Sequence, residues 1–177
     1  MAADSAERIF SIPENLYTGA ERILLIDLSL KAPGGQVVSR NFYWVPGTLT
    51  TFDWEKTDYT HTPASRHEDL TALANLLPAQ IDSSAELEST ASGREIRVQL
   101  DNHSQVLAFQ VRAAIRTARE ELIAPVIWSD NWIQLTPGES TTLTAFLPAT
   151  ETAEPVVEIE GWNVAPVKLT PKPIARK

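Results

Sequence analysis

The chain has 177 residues, a formal net charge of −8 and no cysteine. Its hydrophobic fraction of 43% is that of a globular protein, so a core can be buried, while disulfides, thiolate nucleophiles and cysteine-ligated metal sites are excluded. The acidic balance argues against a nucleic-acid partner, and no apolar run approaches the roughly 20 residues of a membrane-spanning helix, so we expect no membrane partner.

The N-terminal part of the chain predicts a β-hairpin. Strand-like runs at 22–31 and 36–45 flank a turn at 32–35, whose two glycines suit a tight reversal. Alternate positions share one face of each run: Leu24, Ile26, Leu28 and Leu30 in the first, and Val38, Arg40, Phe42 and Trp44 in the second. Because a lone two-stranded hairpin is marginal in water, we expect more strands or a neighbouring domain to cover it. A dimer formed by pairing of the first hairpin with a second copy stays open.

Residues 46–78 differ in character and predict a connector. Ser65-Arg-His-Glu68 has the pattern of a capping box, in which a serine and a glutamate three residues apart bond the first turn of a helix. The run 69–77 therefore predicts a short helix of about two turns, which Pro78 ends. Ahead of the hairpin, Ile9, Phe10 and Ile12 predict one further short strand.

The remaining chain, to about residue 170, carries strand candidates at regular spacing. They are 85–90, 94–100, 106–117, 126–135, 140–147 and 156–164. The second has Ile96, Val98 and Leu100 on its inward face, and one face of the third carries Leu107, Phe109, Val111, Ala113 and Ile115. Short strands separated by turn residues, without strand–helix–strand alternation, predict an all-β, immunoglobulin-like β-sandwich.

The sequence lacks the common catalytic patterns. There is no Gly-x-Ser-x-Gly turn and no glycine-rich phosphate loop, and His61, His67 and His103 are interpreted as surface residues. Acidic residues gather at Asp53, Glu55 and Asp58, at Glu120 and Glu121, and at Asp130 between two tryptophans. A glycosidase needs two carboxyl groups about 5–10 Å apart in a pocket, which a small sandwich filled by side chains does not offer. We therefore predict no catalytic residue, no metal site and no cofactor.

The tryptophans are the most informative side chains: Trp44, Trp54, Trp128, Trp132 and Trp162. Exposed aromatic rings on a sandwich can stack on sugars, whereas large aromatics more often fill cores and interfaces between domains. The candidate contacts to carbohydrate or to another domain are Trp128, Asp130, Asn131, Trp132 and Trp162. Asn102-His-Ser104 also matches a glycosylation sequon, a triplet that often arises by chance.

An ordered set of strings carries a family resemblance: Asn41-Phe-Tyr-Trp44, Phe52-Asp-Trp-Glu-Lys56, Thr62-Pro-Ala-Ser65 with Asp69-Leu-Thr-Ala-Leu73, Val126-Ile-Trp-Ser-Asp-Asn131, Leu135-Thr-Pro-Gly-Glu139 and Glu160-Gly-Trp-Asn163. Together they resemble the C-terminal region of family 2 glycoside hydrolases. The most similar types are exo-β-D-glucosaminidases and β-mannosidases, including the mannosylglycoprotein endo-β-mannosidase type. The resemblance covers residues 22 to 165.

In that family two glutamates of a central TIM barrel perform catalysis, so the resemblance implies a barrel upstream and no inherited catalytic role here. It implies the incomplete end of a preceding β-sandwich domain at 1–48, a connector at 49–80, an Ig-like sandwich at 81–170 and a tail at 171–177. The implied partners are the catalytic and neighbouring domains of the parent enzyme, so we expect a structural accessory module. A module that binds oligosaccharide through its tryptophans, and a protein-interaction module, stay open.

Overall fold

The computed structural model describes residues 4–16 and 22–174. The chain divides into two compact units, Met1–Leu76 and Leu77–Lys177, called here the N-terminal and C-terminal units. Regular structure in the described residues is almost entirely β-strand, which confirms the predicted all-β class. None of the helical segments in these ranges is long and apolar enough to cross a membrane.

The N-terminal unit is built around the predicted hairpin. Strand β1 (Ile23–Lys31) pairs with β2 (Val37–Pro46) in antiparallel register, with Leu24 opposite Val45. The turn is closed by a hydrogen bond from the Gly35 amide to the Ala32 carbonyl at 2.8 Å, and Gly35 has a φ of +85°. Its remaining elements are strands β3 (Thr51–Phe52) and β4 (Ala64–Arg66) and 3₁₀ helices at Glu14–Leu16, Trp54–Lys56 and Thr71–Asn75.

Both faces of the hairpin carry large apolar side chains that are partly exposed. The register places Tyr43 on the face of Ile26, and Leu30 at the far end of that face is 64% exposed. On the opposite face, Asp27 and Arg40 form a two-bond ion pair with both distances at 2.8 Å. The exposed apolar positions agree with the expectation that a two-stranded hairpin needs further cover.

The predicted capping box is wrong. Ser65 lies in strand β4, and its hydroxyl donates to the Thr51 carbonyl at 3.2 Å. The helix that follows is a five-residue 3₁₀ segment, Thr71–Asn75. Just before it, the Asp69 carboxylate accepts hydrogen bonds from the amide and the hydroxyl of Thr71. These two bonds lower the pKa of Asp69 below its ordinary value, and the bond from the hydroxyl has the larger effect. The strand predicted at residues 9–12 is also absent, and Ile9 is 80% exposed.

The C-terminal unit is a sandwich of two sheets, which confirms the immunoglobulin-like prediction. Its strands are β5 (Ile81–Ser89), β6 (Gly93–Asn102), β7 (Ala108–Arg116), β8 (Ile127–Trp128), β9 (Ile133–Leu135), β10 (Ser140–Pro148), β11 (Val156–Gly161), β12 (Val164–Leu169) and β13 (Lys172–Pro173). The five-stranded sheet has the order β13-β5-β6-β10-β8, and the four-stranded sheet has the order β12-β11-β7-β9. Neighbours are antiparallel except β13 beside β5.

The core between the sheets follows the alternation of the sequence. Ile96, Val98 and Leu100 of β6 are fully buried, as predicted, and β10 contributes the cross-strand partners Leu143 and Ala145. The four-stranded sheet contributes its own buried set: Ala108, Val111, Ala113, Ile115, Val157 and Ile159. Side chains therefore fill the interior of the sandwich from both sheets.

A β-bulge in β7 overturns part of the predicted facing. The pairing of β7 with β9 shifts between Ala108 and Val111, and Gln110 has a φ of +53°. The extra residue reverses the alternation, so Ala108 joins the core cluster while Phe109 is buried outside it. The prediction that Leu107 and Phe109 share a face with Val111 is wrong for this reason.

Two predicted single strands are each split in the structure. Residues 126–135 form β8 and β9, which lie in different sheets because the chain crosses between them at Ser129–Trp132. Residues 156–164 form β11 and the start of β12, joined by a tight turn at Trp162 and Asn163. Both breaks fall at a tryptophan beside an asparagine, which are positions singled out above.

Candidate interaction surface of the four-stranded sheet

The side chain of Asn131 connects the crossing between β8 and β9 to strand β7. The Asn131 Oδ1 accepts from the Ala113 amide at 2.9 Å, and its Nδ2 donates to the Ala113 carbonyl at 2.8 Å. The side-chain amide of Asn131 thus makes the two hydrogen bonds that the backbone of a neighbouring strand would otherwise make to β7. The Asp130 carboxylate accepts a hydrogen bond from the Asn131 amide at 2.7 Å. Asp130, a candidate contact residue from the sequence, therefore stabilises this turn.

This turn presents Trp132 to solvent. Trp132 has a φ of +57°, a left-handed conformation that is rare for a bulky side chain, and its amide donates to the Asn131 Oδ1 at 3.0 Å. The side chain is 54% exposed, and the Arg112 guanidinium lies 5.4 Å from the ring centroid. At that distance the cation interacts with one face of the indole. Trp128, by contrast, packs against the sandwich core.

The outer face of the four-stranded sheet carries paired charges. Arg112 and Glu160 stand opposite each other on β7 and β11, with 2.9 Å between Nη2 and Oε1. Arg116 pairs with Glu158 and also donates to the Glu120 carbonyl at 3.1 Å. Hydrogen bonding to Glu158 raises the pKa of Arg116. Each cation of this ladder therefore faces a carboxylate.

Beside the ladder lies a shallow depression of about 360 Å³. Its lining includes Arg112, Ala114, Arg116, Leu122, Val126, Trp128 and Trp132. Leu122, at its rim, is 60% exposed. The structure therefore brings Trp128 and Trp132 to one surface. It adds Arg112, Glu160 and Leu122, which sequence reasoning missed because their positions depend on the pairing of β7 with β11 and on the bridge between Arg116 and Leu122.

Trp162 lies at a separate turn, between β11 and β12. Asn163 fixes that turn through three bonds: its Nδ2 donates to the carbonyls of Leu77 at 2.8 Å and Leu107 at 2.7 Å, and its Oδ1 accepts from the Phe109 amide at 2.9 Å. The Trp162 amide donates to the Phe109 carbonyl at 2.9 Å, and its side chain is 60% exposed. A tryptophan next to an asparagine in a break between strands is the signal that marks both turns.

The sequon asparagine is structural. Asn102 is only 1% exposed, and its Nδ2 donates to the carbonyls of Val106, Leu135 and Thr136. Its Oδ1 accepts from the Ser104 hydroxyl at 2.6 Å. The folded unit therefore leaves no space for a glycan on this nitrogen.

Several of the acidic candidates stabilise turns or form ion pairs. Asp58 accepts from the Thr60 amide and hydroxyl and from the His61 amide, and the Thr60 bonds in particular lower its pKa. Asp53 pairs with Lys56. His103 lies 3.5 Å from Asp82 at an exposed position. Within residues 4–16 and 22–174, no group of three or more histidine, aspartate or glutamate side chains could hold a metal ion.

Comparison with known proteins then decides the family. The family model described as "Exo-beta-D-glucosaminidase Ig-fold domain" matches residues 59–164, more than half of the chain. The chain belongs to this family of Ig-fold domains. The resemblance read from the sequence strings is therefore confirmed.

Curated relatives and solved structures agree with this assignment. The chain is 34% identical to an exo-β-D-glucosaminidase of Arthroderma benhamiae over 80% of the chain and 16% of that protein. It is 34% identical to that of Amycolatopsis orientalis over 82% of the chain and 15% of that protein. The crystal structure of the Amycolatopsis orientalis exo-chitosanase CsxA superposes with a TM-score of 0.78 at 32% identity, covering 82% of this chain and 18% of that one.

The chain thus spans only 15–19% of the length of the curated relatives it matches. The matched part is an Ig-fold region, and the bulk of each relative's chain has no counterpart in these 177 residues.

Proposed function

We propose that this chain is a non-catalytic accessory module from the C-terminal region of a family 2 glycoside hydrolase of the exo-β-D-glucosaminidase type. In this role it packs against the catalytic barrel and neighbouring domains of the parent enzyme. The observation that carries the proposal is the match of residues 59–164 to the Ig-fold domain of exo-β-D-glucosaminidases, in a chain that spans only 15–19% of such relatives.

The physical character of the unit supports a structural role. The interior of the sandwich is filled by apolar side chains, with Ile96, Val98 and Leu143 almost fully buried. Several of its outer acids are engaged in ion pairs, such as Glu160 with Arg112. Two carboxyl groups set in a shared pocket, which glycoside hydrolysis requires, are not found in the depression of the four-stranded sheet.

The proposal extends to the organisation of the chain. We propose that residues 1–48 complete a sandwich domain that precedes this module, with 49–80 as a connector, 81–170 as the Ig-like domain and 171–177 as a tail. Along the chain, the boundary between the two compact units falls between Leu76 and Leu77, near the proposed end of the connector. The partly exposed apolar faces of the hairpin support cover by strands from elsewhere in a parent chain.

The reading frame that encodes this chain tests the proposal. We expect it to extend upstream for several hundred codons into a barrel domain with two catalytic glutamates. A stop codon immediately upstream, together with a stable, monodisperse 177-residue protein in cells, would contradict it.

A carbohydrate-binding module is the second candidate, because the Trp162 and Trp132 rings are 60% and 54% exposed on turns that asparagines hold rigid. It predicts a change in tryptophan fluorescence when glucosamine or mannose oligosaccharides are added. A flat titration at millimolar sugar would remove it.

A further inference from the structure

We propose that the surface beside β7 around Trp132 and Leu122, called here the Trp132 face, docks another domain of the same parent chain. The inference rests on the proposed function and names the surface that the accessory module uses. The Trp132 face consists of Arg112, Ala114, Arg116, Leu122, Val126, Trp128 and Trp132.

The shape and apolar character of this face fit a packed partner. Trp132 and Leu122 rise beside a depression of about 360 Å³ and are 54% and 60% exposed. Large aromatic and aliphatic side chains around a depression are typical of the anchor regions of protein interfaces. Isolated exposed apolar residues are ordinary on protein surfaces, but here they share one concave area.

The conformation of Trp132 indicates that its exposure is built into the fold. Its left-handed φ of +57° costs conformational energy for a bulky residue. Asn131 holds that conformation by binding both backbone groups of Ala113. The indole contributes little to the core of its own unit, because Trp128, and not Trp132, packs against the buried cluster. The strained turn therefore places the Trp132 side chain on the surface and not in the interior of the sandwich.

The charges of the face favour a protein partner over an amino-sugar polymer. A glucosamine polymer is cationic and needs unpaired carboxylates, whereas Glu160 and Glu158 are already paired with Arg112 and Arg116. The Arg112 guanidinium also occupies one face of the Trp132 ring. Because Arg112 and Arg116 are already paired with Glu160 and Glu158, a protein can cover the face without separating either cation from its carboxylate.

The occupant follows from the length of the relatives. The matched segment accounts for at most 19% of a curated exo-β-D-glucosaminidase, so more than four-fifths of such a chain lies in other domains. Domains linked in one polypeptide meet at high effective concentration, so a modest apolar patch suffices for stable docking. We therefore assign the Trp132 face to a domain of the parent chain and not to a second copy of the module.

Hydroxyl-radical footprinting of the 177-residue chain and of the whole enzyme from its reading frame tests this inference. We expect oxidation of Trp132 and Leu122 to fall several-fold in the whole enzyme. Ile127 provides the internal control, because it is 71% exposed and does not line the depression, although its strand neighbour Trp128 does. Equal oxidation of Trp132 in both samples would overturn the inference and leave the proposed function intact, whereas a reading frame without further domains would overturn both.

Substitutions provide a second readout. Trp132→Ala and Leu122→Ser should lower the thermal unfolding temperature or increase the protease sensitivity of the whole enzyme. Because both side chains are solvent-exposed in the isolated chain, the same changes should leave its unfolding temperature nearly unchanged. Ile127→Ser is the matched control and should affect neither. An equal loss of stability in both contexts would assign Trp132 and Leu122 to folding of the unit, against docking.

The competing ligand is tested with the isolated chain. Titration with a glucosamine hexamer should give no fluorescence change that depends on Trp132. A saturable change in the wild-type chain that is lost in Trp132→Ala would overturn docking and assign the face to sugar.

Discussion

Asn131 binds both backbone groups of Ala113, with its Oδ1 2.9 Å from the amide nitrogen and its Nδ2 2.8 Å from the carbonyl oxygen. One side chain thereby closes the edge of β7 where β8 and β9 part to opposite sheets. The same Oδ1 accepts a hydrogen bond from the Trp132 amide, so Asn131 contributes both to the path of the chain and to the position of the exposed indole.

Asn131→Ala should therefore destabilise the C-terminal unit by about 1–3 kcal/mol, because both partly buried groups of Ala113 lose their partners. Asn131→Asp is the sharper variant. It keeps an acceptor for the Ala113 amide but places a carboxylate oxygen against the Ala113 carbonyl, so it should also destabilise. Urea unfolding measures both changes, and a wild-type midpoint for Asn131→Asp would contradict the donor role of Nδ2.

Gly93 lies where a side chain would clash with the backbone of a neighbouring strand. A Cβ added there would lie 2.2 Å from the Leu147 carbonyl oxygen, and its φ is +155°. Gly93→Ala should cost about 2 kcal/mol or more, since the backbone of β10 would have to move. Gly34 has open space around it, so Gly34→Ala should change stability by less than about 0.5 kcal/mol. Similar unfolding midpoints for the two variants would contradict this packing.

The stability of the C-terminal unit should depend on Asp101 at acid pH. Hydrogen bonds from Ser140 and then Gln99 lower the pKa of Asp101 from its ordinary 3.8, and His103 acts in the same direction. A carboxyl group with a lowered folded pKa stabilises the fold above its unfolded pKa, and this contribution disappears as the pH falls through the folded value.

Thermal unfolding from neutral pH to below pH 3.8 measures this effect. We expect Asp101→Asn to flatten the acid side of the curve compared with the wild type. Ser140→Ala should shift the loss of stability toward higher pH, since it removes the largest cause of the lowered pKa. An unchanged acid profile in both variants would show that Asp101 does not contribute.

Much of the fold could be predicted because local patterns and tertiary structure agree in it. The alternation of Ile96, Val98 and Leu100 reflects a regular strand with one face in the core, and the structure buries all three. The hairpin turn with Gly35 likewise carries its conformation in its own residues. In these places the local sequence is sufficient to predict the structure.

Prediction failed where a side chain or an irregular backbone replaces a regular pairing. The bulge at Gln110 moves Ala108 into the core, which no alternation pattern reveals. Ser65 lies in a short strand bonded to Thr51, so a capping box read from local spacing is overridden by a contact 14 residues away. The pairing of Arg112 with Glu160 depends on the register of β7 against β11, and sequence alone did not supply it.

The most direct test of a non-catalytic module is hydrolysis by the purified 177-residue chain. With p-nitrophenyl β-D-glucosaminide and p-nitrophenyl β-mannoside as substrates, we expect release of p-nitrophenol at the rate of the buffer blank. Saturable release above the blank that co-purifies with the chain would contradict the assignment.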